Sequence, residues 1–172
     1  MTASLIASVL LAVSFVGIAI WRKRVMPESI SSLVYVFRWK WMWTVWLTIV
    51  GILTCAPAIE VLDRIGMGFL GFATLACLAF CAAMPIFVEE QKQWHDILGI
   101  SSGVLSQLCV LMISPWWLLS WLLLVFLAIH VYMNPDGKVA KVVSHKGVFI
   151  AECICYVSLE GSLVSEFVSM TY

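Results

Sequence analysis

The chain has 172 residues, ten basic and ten acidic, with a formal net charge of zero. Hydrophobic residues make up 63% of it and charged residues 12%, against roughly 45–50% and about 25% in soluble domains. So much apolar surface has to face lipid, which excludes a secreted disulfide scaffold, a disordered tail and an ordinary cytosolic enzyme; the balanced charge leaves no footprint for nucleic acid.

A bilayer core of about 30 Å needs around 20 apolar residues in a helix. The first such stretch is Ala3–Trp21, uncharged and closed by Arg22, Lys23 and Arg24. A signal peptide carries its positive charge before the apolar region, so this stretch is read as a retained helix. In Pro27–Lys40, Pro27, Glu28 and Ser29 resemble a helix start. Ile30, Leu33, Val34 and Phe37 then recur at helical spacing, which predicts a short interfacial helix anchored by Arg38 and Lys40. The second span is Trp41–Ile59 and the third Met67–Val88. The fourth, Ile97–Ser114, is joined through Pro115 to the fifth, Trp116–Met133, as an antiparallel hairpin. Asn134, Pro135, Asp136 and Gly137 make a turn, and the sixth and most polar span runs from Gly147 to about Phe167.

The distribution of Lys and Arg sets the orientation. Residues 22–40 carry five, 89–96 carry Lys92, and 134–146 carry Lys138, Lys141 and Lys146; the opposite side has Arg64 alone. Six spans put the first three segments on one side, predicted to be cytoplasmic, with both termini outside. Trp21, Trp39, Trp41, Trp43 and Trp94 then form an inner aromatic belt, and Trp116 and Trp117 an outer one. Trp46 and Trp121 lie about one turn deeper and read as packing residues. All six cysteines, Cys55, Cys77, Cys81, Cys109, Cys153 and Cys155, fall inside apolar runs, where thiols behave as small hydrophobes.

An ionisable group inside a membrane is a functional candidate by default. Glu160 lies about three residues beyond the middle of span six, roughly 4–5 Å past the midplane at 1.5 Å per residue. Gln107 of span four lies at nearly the same depth and is its expected hydrogen-bond partner. Two readings stand: a neutral carboxyl bonded to Gln107 for structure, or a carboxyl that binds and releases a proton or cation. At the inner side His95 and Asp96 open span four, His130 lies within one turn of the end of span five, His145 precedes span six and Glu152 lies about one turn inside it. His130 and Glu152 share a depth, so a bond between them is expected. Three His with Asp or Glu could also ligate zinc and activate water, although no His-x-x-x-His or His-Glu-x-x-His spacing occurs.

Small residues at helical intervals (Ser4, Ser8 and Ala12; Ala76, Ala79 and Ala83; Ser158, Gly161, Ser162, Ser165 and Ser169) form stripes that let helices approach closely. They serve packing within one chain or between copies in a homo-oligomer. No Gly-x-Ser-x-Gly elbow, phosphate-binding glycine loop or nucleotide fingerprint occurs, and no cofactor is expected.

The basic stretch after span one, the run Pro27-Glu28-Ser29-Ile30-Ser31, the Trp-rich second span, the small-residue third span and Trp94-His95 opening the fourth resemble short six-helix membrane proteins of bacterial genomes and prophages. The resemblance covers about residues 1–110. That group has no assigned activity, so it implies the helix count and that the Pro-Glu-Ser loop and His95 matter, without a mechanism. The sequence thus predicts a single all-α domain of six spans in the inner (plasma) membrane. Its expected function is non-enzymatic, a small transport-like or accessory subunit; the competing expectation is a membrane-embedded metal-dependent hydrolase built on the inner His and acidic residues.

Overall fold

The computed structural model describes residues 2–84 and 89–171, and the described residues contain helices and no strand. Helix α1 is Thr2–Lys23, α2 Trp41–Asp63, α3 Gly68–Ala83, α4 Glu89–Ile113, α5 Leu122–Met133 and α6 Lys138–Thr171. Two 3₁₀ helices, Ser31–Tyr35 and Pro115–Trp121, precede α2 and α5. Five helical segments (α1, α2, α4, α6 and Pro115–Met133 taken together) are long and apolar enough to cross a membrane, and α3 is a shorter apolar helix. The fold is that of an all-α polytopic membrane protein. The predicted third span matches α3 as far as Ala83, and its last residues, 85–88, lie outside the described residues.

The ends of the helices follow from local chemistry. Arg22 and Lys23 occupy the last turn of α1, where cations complement the helix dipole. Helix α2 closes with Met67 N–H bonding Leu62 O at 2.9 Å and Gly66 N–H bonding Asp63 O at 3.0 Å. That is the double bond of a Schellman cap, which needs its left-handed residue, and Gly66 supplies it at φ 72°. The segment Pro115–Trp121 is 3₁₀ where the sequence predicted the start of a regular span. At about 2.0 Å per residue its seven residues, followed by the twelve of α5 at 1.5 Å, reach about 32 Å, enough to cross the bilayer core.

The helix after the first span is a five-residue 3₁₀ helix, Ser31–Tyr35. Its Leu33 and Val34 are buried against the bundle. Phe37, just beyond it, stacks on Phe15 of α1 at 4.4 Å, and Phe15 stacks on Trp46 of α2 at 4.3 Å.

Inside α2, Pro57 has no N–H to give to Leu53, which leaves a carbonyl unpaired in a lipid environment. The Ser4 hydroxyl of α1 fills that gap, donating to Leu53 O at 2.6 Å. Ser4→Ala is therefore expected to destabilise the protein by about 1–2 kcal/mol, the size of membrane side-chain hydrogen bonds. In a Pro57→Ala background, where residue 57 can bond Leu53 itself, the loss should largely vanish. A double-mutant cycle on detergent-solubilised protein measures the coupling, and equal losses in both backgrounds would refute it.

The stripes predicted from spans one and six are largely consumed inside the chain: Ser8, Ser158 and Ser162 are fully buried. Ala76 and Ala83 of α3 face outward. Two apolar clusters fill the bundle. One gathers Leu5, Ala58, Leu62, Val110, Leu159 and Leu163. The other, toward the end bearing the 3₁₀ segment Ser31–Tyr35, gathers Ala19, Leu33, Val34, Trp43, Trp46 and Val50. Along α1, α2 and α6 a layer of polar side chains separates them.

Candidate functional site

The polar layer is built around Glu160, which is 5% exposed. Thr54 of α2 donates to Glu160 Oε1 at 2.6 Å. The Thr54 hydroxyl lies 2.7 Å from Ser8 Oγ of α1, and Ser8 Oγ lies 2.7 Å from the Tyr156 hydroxyl of α6. Tyr156, Ser8, Thr54 and Glu160 thus form one continuous hydrogen-bonded row across three helices. Each hydroxyl can both donate and accept, so the row can reverse its polarity without moving a heavy atom. Glu160 Oε2 is buried, and it has no hydrogen-bond partner among the described residues.

The expected bond between Glu160 and Gln107 is not the one made. Gln107 Oε1 accepts from Trp121 Nε1 at 2.8 Å and from the Ser158 hydroxyl at 3.0 Å. Its amide nitrogen donates to Ser106 Oγ at 3.1 Å and Cys155 O at 3.3 Å. Depth alone suggested the pairing, but azimuth decides it: Gln107 turns to the Ser158 side of α6 and pins the Trp121 indole there. Ser8, Thr54 and Tyr156 were not singled out as site residues. Tyr156 had a readable signal, because Glu152, Tyr156 and Glu160 recur every four residues and so share one face of α6. Ser8 was hidden in a stripe that also serves packing, and nothing in α2 marks Thr54 apart from Thr44 and Thr48.

At the other end of the bundle the predicted inner residues separate. His95 is 3% exposed. Its Nδ1 lies 3.0 Å from Cys81 O and 2.9 Å from Met84 O. Carbonyls only accept, so Nδ1 carries the hydrogen, and in the neutral ring Nε2 accepts from the Ser31 hydroxyl, 2.8 Å away. The ring also lies beside the Trp43 indole, with centroids 5.8 Å apart. Glu152 does not pair with His130; its Oε2 accepts the backbone N–H of Ile30 at 2.5 Å. Trp43 Nε1 donates to Ile30 O at 3.1 Å, and Phe149 N–H donates to Glu28 O at 3.1 Å. The Glu28–Ser31 strap is therefore held by α2, α4 and α6 together. A strap with exposed peptide groups near lipid needs such partners, and Glu152 and Trp43 satisfy both polar groups of Ile30.

Asp96, His130 and His145 are exposed and do not join His95. Among the described residues no three His, Cys, Asp or Glu side chains gather as a metal site, so the ligand set required by the hydrolase reading is not assembled there. All six cysteines are free.

Fold and polar layer together define the class: an integral membrane protein with a carboxyl sequestered in its bundle. The chain matches no family model, no curated protein and no solved structure.

Proposed function

We propose that this membrane protein is a small transport-like unit in which Glu160 takes up and releases a proton. The observation that carries the reading is the unpartnered, buried Oε2 of Glu160. A carboxyl kept only for packing would have both oxygens satisfied, since an unmet buried polar group costs about 1–3 kcal/mol. The Tyr156–Ser8–Thr54 row supplies a route for the proton along hydrogen bonds already in place. Glu152 lies one turn beyond Tyr156 on the same face of α6, about 6 Å along the axis. It continues the polar path toward the strap.

The test is proton flux in vesicles. Purified protein reconstituted with a trapped pH-sensitive dye should dissipate an imposed pH gradient, and Glu160→Gln should not. Equal flux for both proteins would refute the reading.

The protein is further proposed to lie in the inner or plasma membrane with residues 22–40 and 134–146 in the cytoplasm, on the strength of the nine-to-one split in Lys and Arg. Single cysteines introduced at Arg24 and Asp136 should be shielded from a membrane-impermeant thiol reagent in intact cells and react after permeabilisation. Labelling of both in intact cells would reverse the orientation.

A further inference from the structure

Where α1 ends, a groove of about 210 Å³ opens between that helix, residues 25–36 and Lys146 of α6. It is several times the roughly 30 Å³ that one liquid water occupies. Lys23 of α1 and Lys146 of α6 line it together, with Glu28 at the strap. Most of the remaining wall is apolar, including Ala19, Val25, Met26, Leu33 and Val36.

Two ammonium groups brought into one groove repel each other unless something negative joins them. Glu28 answers only part of that charge and makes no ion pair with either lysine. The neighbouring cations are engaged elsewhere: Arg22 lies over the Phe37 ring and Lys40 over the Tyr35 ring. Lys23 and Lys146 thus line one groove against a single carboxylate, which leaves an excess of one positive charge. The apolar wall adds a second requirement, since a free inorganic anion gains nothing from Val25, Met26 or Val36, whereas a molecule with a hydrocarbon tail does. The level in the membrane fits as well: Trp21 and Trp39, both widely exposed, flank the groove in sequence, and indoles of that kind sit in the headgroup layer.

We propose that this groove binds the headgroup of an anionic phospholipid, its phosphodiester between Lys23 and Lys146 and the upper part of an acyl chain against Val25 and Val36. Glu28 leaves the lining with one net positive charge, which suits a singly charged phosphodiester over a doubly charged phosphomonoester. Its carboxylate is also placed to accept hydrogen bonds from headgroup hydroxyls. Lysines near a membrane surface contribute enough attraction to an anionic lipid for about a fivefold change in binding each.

Native mass spectrometry of the full-length protein in detergent tests this, with phosphatidylglycerol, phosphatidylcholine and inorganic phosphate as probes. Phosphatidylglycerol should bind at least about fivefold better than phosphatidylcholine. Lys23→Gln and Lys146→Gln should each weaken it about fivefold, while Lys138→Gln, outside the groove, should leave it unchanged. Val25→Ser, an exposed position on the wall, should weaken phosphatidylglycerol binding without touching the lysines. Circular dichroism of each variant confirms that it is folded. Equal binding of the two lipids, or a double lysine variant that binds phosphatidylglycerol as the unmodified protein does, overturns the proposal. Displacement of the lipid by millimolar inorganic phosphate would also overturn it, by marking the groove as a site for free anions.

Discussion

Glu160→Gln is expected to abolish proton flux while leaving the bundle folded. Gln keeps the shape and an oxygen that accepts from Thr54, so the 2.6 Å bond is kept while the carboxyl is lost. Glu160→Leu carries the stronger test. An ionised carboxylate near mid-membrane costs at least about 2.5–3.5 kcal/mol even on lenient scales. Replacing an incompletely satisfied polar group by an apolar one of similar size is often neutral or stabilising, and the Thr54 hydroxyl would still have Ser8 as a partner. Glu160→Leu should therefore match or exceed the unmodified protein in thermal stability while losing all proton flux. Such a result would mean that Glu160 is retained against the interest of stability. Unfolding of both variants would identify Glu160 as a structural keystone instead. Tyr156→Phe leaves the Thr54 bond in place but breaks the hydroxyl chain beyond Ser8 and removes the Tyr156 hydroxyl from beside the Glu160 carboxyl. Flux should fall sharply in that variant.

The second large effect concerns backbone approach. A Cβ added at Gly161 would lie 2.5–2.6 Å from three carbons of the Trp117 ring. That ring has little freedom to retreat, because Trp117 Nε1 donates to Ser165 Oγ at 2.8 Å one turn further along α6. A Cβ at Gly71 would meet Ile59 at 2.6 Å from Cγ1 and at 3.1–3.2 Å from its backbone N and Cα, so α2 and α3 would have to separate. Overpacking of this kind costs about 1–3 kcal/mol, and both Gly161→Ala and Gly71→Ala should fall at the upper end. Gly51→Ala is the control: its nearest neighbour, Leu78 Cδ2 at 2.6 Å, is the end of a flexible side chain that can rotate away. Thermal melts in detergent should rank Gly51→Ala as the mildest of the three. Trp117→Leu should rescue Gly161→Ala and leave Gly71→Ala unrelieved. A Gly161→Ala protein as stable as the unmodified one would contradict the packing described.

By itself the sequence determined the features that depend on hydrophobicity along one dimension. The number of helices, the breaks at Pro115 and at Asn134–Gly137 and the membrane class are local consequences of apolar length and turn chemistry. That Glu160 would be buried was legible for the same reason, since a carboxyl in the middle of an apolar run has few other places to go. The partners were not legible. Depth is readable from residue count, but which way a side chain points depends on how each helix is rotated against its neighbours. That rotation is set by many weak contacts, such as Gly71 against Ile59 and Gly161 against Trp117, with no sequence signature of their own. Glu160 therefore meets Thr54 rather than Gln107, and Glu152 meets the Ile30 amide rather than His130. The strap shows the same division: its hydrophobic spacing marks a short helix, but the partners of the Ile30 backbone groups, Glu152 and Trp43, are not readable from it. Only the tertiary structure offers those partners, and so only it draws Leu33 and Val34 into the core.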